Sequence, residues 1–152
     1  MAWRMEVKTM AEKIRIKGRC EYPGKVTAEA LVAPKYLQGF TNVSPANGYT
    51  TERNHPLYKV PYTGKVLCFY SPRGSGGFLA YGFGDKKPAA FVHTKSSPLT
   101  VGCMVQAHVP AMTDFEEDPL KYIETGDIVF VNADEDYIEI TKMGSKADLY
   151  EK

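Results

Sequence analysis

The sequence has no run of about 18 apolar residues, the length a helix needs to span a bilayer, so no transmembrane helix is expected. Cysteine is scarce: Cys20, Cys68 and Cys103 lie far apart, odd in number and without a C-x-x-C pair. That excludes a disulfide framework and a self-contained zinc or iron–sulfur site. Cys68 and Cys103 sit in apolar runs, where a thiol serves as a small buried hydrophobe. Charge of either sign is not in excess, with 19 Lys+Arg against 18 Asp+Glu and a formal net charge of +1. No global field draws nucleic acid or a membrane surface, and neither is expected as a partner. The three histidines, His55, His93 and His108, are scattered, and no nucleophile–base pair follows from their order. The N-terminal stretch has no apolar core of signal-peptide length, which predicts a cytoplasmic protein; Met10 is an alternative start.

What is present suits one domain. The chain has 152 residues, 43% of them apolar and 24% charged, enough for one sizeable core. Residues 1–12 read as a flexible N-terminal extension, 13–141 as the domain and 142–152 as a flexible C-terminal tail.

The domain is organised around Gly64–Gly77. Val66, Leu67, Cys68, Phe69 and Tyr70 form a short apolar run that reads as a buried strand. Ser71 and Pro72 stop it, and Arg73-Gly74-Ser75-Gly76-Gly77 follows. Glycines at this density let backbone approach a ligand closely, and their N–H groups can face an anion. Arg73 adds a planar, bidentate donor for carboxylate or phosphate. Taken alone, the stretch equally suits a plain surface turn.

Elsewhere, Lys13–Lys17 alternates polar and apolar residues as a half-buried strand does, and Val26–Val32 reads as a second strand. Periodicity fails from Lys35 to Tyr62, a long loop with aromatic anchors. Phe78–Phe83 predicts a short, weak helix and Pro88–His93 a buried strand. Ser97-Pro98 opens a helix over Leu99–His108 that is apolar nearly all round and so expected to be largely buried. Val109–Met112 is a short strand, Asp118-Pro119 starts one helical turn, and Ile128–Val131 with Tyr137–Ile140 reads as a hairpin. The order predicts parallel strands with crossovers in the middle and antiparallel cover at the ends: a mixed α/β, three-layer β/β/α arrangement.

Six ordered strings then meet a family. They are Asn54-His55-Pro56-Leu57, Gly64–Leu67 followed by Arg73-Gly74-Ser75, Lys87–Phe91, Val109–Met112, Asp118-Pro119-Leu120 and Thr125–Val129. Together they resemble the small subunit, or swivelling domain, of the aconitase X family of hydro-lyases, over roughly residues 14–141. The resemblance implies an aconitase-like swivelling β/β/α domain that closes over a large subunit. It implies an iron or iron–sulfur centre on that partner and no cofactor bound by this chain. It also implies dehydration of a small hydroxy acid, in the class of cis-3-hydroxy-L-proline or 5-phosphomevalonate. The family's small subunit contributes a loop serine as candidate base, and by position that serine is Ser75. Arg73, Gly74, Gly76 and Gly77 are then expected to bind substrate.

Two departures stand out. The family loop carries several serines where this one has Ser75 alone, and the loop at 35–53 keeps only Tyr36-Leu37-Gln38-Gly39-Phe40 in place of a longer string. The thinned loop leaves a non-catalytic binding or regulatory module on the same fold as an alternative. A phosphohistidine swivelling domain is a remoter one. It shares the Gly-Asp hairpin but needs a histidine at a helix start, where this chain has Thr94-Lys95-Ser96-Ser97-Pro98.

Overall fold

The half-polar run Lys13–Lys17 forms strand β1, and after the single residue Gly18 the chain continues as β2, Arg19–Tyr22. A computed structural model of the chain describes residues 12–33, 37–38, 43–73, 81–82, 84–96 and 98–143. The remaining elements are β3 (Lys25–Val32), β4 (Leu37–Gln38), β5 (Val43–Ser44), β6 (Tyr49–Thr50), β7 (Val66–Phe69), β8 (Pro72–Arg73), β9 (Ala90–His93), helix α1 (Pro98–Ala107), β10 (Ala111–Thr113), a 3-10 turn (Pro119–Lys121), β11 (Ile128–Asn132) and β12 (Tyr137–Thr141).

Eight strands form one sheet in the order β1-β12-β11-β3-β7-β9-β10-β2. The four strands β3, β7, β9 and β10 run parallel, and the flanking pairs are antiparallel. This is the predicted pattern of a parallel middle under antiparallel cover. The outermost strands, β1 and β2, are consecutive in the chain with only Gly18 between them, so the sheet curls until its two edges meet there. Gly18 N donates to Asp136 O at 2.9 Å, and a Cβ on Gly18 would lie 2.5 Å from the Phe115 ring. Only glycine lets the chain pass that ring while it switches edges.

Side-chain alternation divides the core. Val66, Cys68, Ala90 and Val92 face inward with Ile16, Met112, Val129, Val131, Ile138 and Ile140. Leu67, Phe69 and Phe91 face the other way, under Tyr81 and the Cys103, Met104 and Ala107 side of α1. Strands β7 and β9 are buried at every position, as parallel strands covered on both faces must be.

The helix corrects one expectation. Among the described side chains of α1, Cys103, Met104 and Ala107 are buried, while Val105 is exposed. An apolar composition all round does not bury a helix whose contacts lie along one side, against one face of a sheet. The long loop also gains structure, because β5 pairs with β6 and β4 with β8. Of the helix expected at Phe78–Phe83, residues 78–80 and 83 lie outside the described residues, as does Ser97. The domain extends slightly past its expected end: Lys142 N donates to Glu12 O at 2.9 Å and the Met143 amide reaches Asp127. The rest of both expected extensions, 1–11 and 144–152, lies outside the described residues.

Tyr62 under the loop supplies a stability prediction. It is buried beside Tyr81, and its hydroxyl has no hydrogen-bond partner among the described residues. An orphaned buried hydroxyl costs about 1–3 kcal/mol. Tyr62→Phe is therefore expected to raise the unfolding free energy by about 1 kcal/mol in urea melts at neutral pH. Burial also pushes the Tyr62 pKa up from 10.0 to about 12. The unfolded chain thus ionises first, and the stability present below pH 10 is lost as pH rises towards about 12. The phenylalanine variant should lose less over that window; an equal loss would show that Tyr62 does not titrate as its burial requires.

Candidate functional site

The carboxyl ends of β3, β7, β9 and β10 lie side by side, because these strands are parallel neighbours. The loops that follow these strands are therefore gathered at one end of the sheet. The segment after β3 and the segment after β7 meet there as the parallel pair β4–β8, with Leu37 opposite Pro72 and Gln38 opposite Arg73. Two loops that the sequence shows 35 residues apart, Gln38 and Arg73, are thus one feature in space. The backbone of Arg73 is fixed in a strand at this end of the sheet. Gly74, Ser75, Gly76 and Gly77, the other candidate residues, lie outside the described residues.

The root of this loop is held from β9. Thr94 N donates to Phe69 O at 3.2 Å and to Tyr70 O at 3.1 Å, and Lys95 N donates to Tyr70 O at 3.0 Å. On the next loop, Thr94 Oγ1 donates to Asp118 Oδ1 at 3.0 Å, and the same Asp118 oxygen caps the 3-10 turn through Leu120 N at 3.0 Å. Arg19 Nε donates to Asp114 Oδ2 at 2.9 Å, and its guanidinium also reaches Ser96 Oγ at 3.0 Å. The loops after β7, β9 and β10 therefore form one hydrogen-bonded rim.

His93 ends β9 beneath this rim and is fully buried. Its Nδ1 is 2.8 Å from Lys95 O, its Nε2 is 2.5 Å from Glu21 Oε1, and its ring stacks on Phe69 at 5.2 Å. With both nitrogens engaged and no exposure, it is not placed to accept a phosphoryl group from solvent. Glu21 was not legible in the sequence as a site residue, since β2 itself is too short and polar to announce a strand.

His55 and His108 have local duties. His55 Nδ1 accepts from Leu57 N at 3.0 Å and so fixes the His-Pro turn. His108 follows α1 with a left-handed φ of 55°, and its Nδ1 lies 3.0 Å from the Tyr22 hydroxyl. Lys87 Nζ donates to Ala107 O at 2.9 Å and closes the same helix end.

The thiols do not fit an iron–sulfur group. Cys68 lies in the inward core, its Sγ 3.4 Å from Val66 O, and burial pushes its pKa far up. Cys103 belongs to the opposite core, and Cys20 is a half-buried residue on an edge strand. Among the described residues no three metal-binding side chains converge, and no helix is long and apolar enough to cross a membrane.

Comparison with known proteins agrees with this fold. Residues 15–140 match the family described as the aconitase X swivel domain. The phosphomevalonate dehydratase small subunit of Methanosarcina mazei is 30% identical over 135 residues, which cover 86% of this chain and 94% of that protein. The subunit of the same description from Methanosarcina acetivorans is 29% identical over 140 residues, 89% of this chain and 97% of that one. A crystal structure of Thermococcus kodakaraensis aconitase X in its holo-form has the same fold, with a TM-score of 0.75 at 24% identity over 85% of this chain and 99% of that chain. With the match running from β1 to β12, this chain belongs to the aconitase X swivel domain family.

Proposed function

We propose that this chain is the small subunit of an aconitase X-type dehydratase that removes water from a small hydroxy acid, with 5-phosphomevalonate the first candidate and cis-3-hydroxy-L-proline the second. The single observation that supports it best is the β4–β8 pair, which sets the backbone of Arg73 at the carboxyl ends of the parallel strands. Relatives described as phosphomevalonate dehydratase small subunits favour the phosphorylated substrate.

Elimination of water needs a base on one carbon and help for the hydroxyl leaving the next. In this proposal Ser75 is the base. Its alkoxide is costly unless donors surround it, and the backbone N–H groups of Gly74, Gly76 and Gly77 with the Arg73 guanidinium are the donors at hand. Arg73 also suits a substrate carboxylate or phosphate, which it can grip with two parallel N–H bonds. The chain's own thiols do not fit a metal cluster, and a large partner subunit carrying an iron centre is the proposed source of the Lewis acid for the leaving hydroxyl.

Reconstitution tests this. Mixed with the large aconitase X-type subunit of the same organism, the chain is expected to form a stable complex and to dehydrate 5-phosphomevalonate, while each subunit alone turns over at least about 10²-fold more slowly. Dehydration of cis-3-hydroxy-L-proline instead would reassign the substrate. A stable complex that dehydrates neither would overturn the enzymatic role and leave a binding module.

A further inference from the structure

The Glu21–His93 pair is a feature that the proposed chemistry does not use. Between β2 and β10 the register slips: Ala111 lies opposite Tyr22, but Met112 lies opposite Cys20. Glu21 is the extra residue at this β-bulge, freed from the pairing that would otherwise fix its direction. It turns onto the face shared by Phe91, His93 and Ala111, and both its side chain and that of His93 are 0% exposed. A bulge that aims a carboxylate into a core is a costly arrangement unless the carboxylate is used.

The hydrogen bonds fix the protons. Lys95 O can only accept, so His93 Nδ1 carries a hydrogen and donates to it at 2.8 Å. The 2.5 Å contact between Nε2 and Glu21 Oε1 then holds one more proton, on either atom. The pair has no net charge in both cases, which is why two ionisable side chains can be fully buried together. Glu21 thereby locks the ring in the state whose Nδ1 is a donor, much as a carboxylate orients a catalytic or metal-bound imidazole. The stacked Phe69 ring, at an interplanar angle of 6°, removes the remaining rotation.

What the donor holds is the rim. Lys95 O is pulled down to His93, while the amides of Thr94 and Lys95 reach across to Phe69 O and Tyr70 O. Tyr70 is three residues before Arg73, at the root of the Arg73–Gly77 loop. We infer that Glu21 and His93 are positioning residues: through the peptide at 94–95 they set the height and angle of the loop root after β7, and so the placement of the groups that loop presents to substrate. The inference rests on the proposed role of the Arg73–Gly77 loop. Glu21 Oε2 and Thr113 Oγ1, beside His93 in the strand order, have no hydrogen-bond partner among the described residues, so the pocket is polar beyond what burial alone asks for.

Two double variants separate positioning from mere packing, and each removes the carboxylate so that no charge is left buried alone. In Glu21→Gln with His93→Asn, the amide nitrogen of asparagine takes the place of Nδ1 and can still donate to Lys95 O. In Glu21→Gln with His93→Gln, the amide lies out at the place of Nε2 and cannot. The first variant, in complex with the large subunit, should keep kcat within about threefold, whereas the second should lose about 10–100-fold in kcat with KM within about twofold. The free full-length chain gives a readout that needs no activity: hydrogen exchange at the Thr94 and Lys95 amides should stay protected in the first variant and quicken at least about tenfold in the second. Equal exchange in both overturns the clamp, whatever the enzyme does. A changed exchange with equal kcat overturns the link from clamp to active loop. If the wild-type complex is inactive while the exchange difference appears, the dehydratase proposal has failed and the clamp stands.

Discussion

Ser75→Ala is expected to lower kcat of the reconstituted two-subunit enzyme by about 10²–10⁴-fold while KM changes by less than about threefold. The size follows from the sequence of the loop. Ser75 is the sole hydroxyl between Pro72 and Phe78, so on the proposed role that stretch offers no second hydroxyl to take over the proton transfer. On the proposed roles the KM should hold, because substrate grip would fall to other groups, above all the Arg73 guanidinium. Arg73→Ala should show the converse, a KM raised at least about tenfold with a smaller fall in kcat, if its bidentate hold on carboxylate or phosphate is largely the same in ground and transition states. Steady-state assays of the complex read both numbers. Unchanged turnover in the alanine variant would remove Ser75 from the chemistry and favour the binding module, for which the thinned serine loop is the motive.

The six strings that pointed to the family turn out to be built mainly of turns and caps. His55 ties down its own loop, Asp118 caps a 3-10 turn, Lys87 closes the end of α1, and Gly64 takes a left-handed φ of 69° just before β7. Such residues are legible because local backbone geometry restricts which side chains will serve. The strands β3, β7, β11 and β12 were legible from apolar runs for a similar reason. Less visible was anything decided between distant segments. β2 reads as a polar stub because one side of it meets the rim, and its bulge depends on β10, some 90 residues away in the chain. No local pattern marks the meeting of β4 with β8, two strands of two residues each. The exposed side of α1 was misjudged because composition reports what a helix tolerates, not what covers it. The site therefore divides along the same line. The Arg73–Gly77 loop could be singled out from its own residues, whereas the Glu21–His93 pair arises only when three strands are brought together.

Among structural substitutions, Asp127→Ala is expected to be the most damaging, at about 3 kcal/mol or roughly 10 °C in melting temperature. The Thr125-Gly126-Asp127 turn, one of the family strings, ties strand ends together. Asp127 is only 2% exposed. Its carboxylate accepts from Glu124 N at 2.8 Å, from Met143 N at 3.1 Å and from Lys142 Nζ at 2.5 Å. Its backbone carbonyl accepts from Ala30 N at 2.8 Å, and Thr125 Oγ1 accepts from Val32 N at 2.9 Å. The end of β3, the start of β11 and the exit of β12 are thus gathered at one turn. Alanine would leave two amides without their acceptor and a largely buried ammonium without its anion. Glu124 cannot replace that anion, because it is 79% exposed and a surface pair adds little. Asp127→Asn should cost less, since an amide oxygen still serves one N–H group while the charge is lost. The ion pair also fixes the alkaline behaviour. Burial draws the Lys142 pKa down, but the hydrogen bonds that its ammonium donates to Asp127 and Glu124, and their charges, outweigh it and leave it above 10.5. A raised folded value means that the pair's stabilisation is fully present below pH 10.5 and is lost as pH climbs through the folded value. Lys142→Gln should lower stability at neutral pH and flatten this alkaline loss, as read from urea midpoints at pH 7 and above pH 10.5. An Asp127→Ala protein that melts within about 2 °C of wild type would mean that the strand ends are held by something other than this carboxylate.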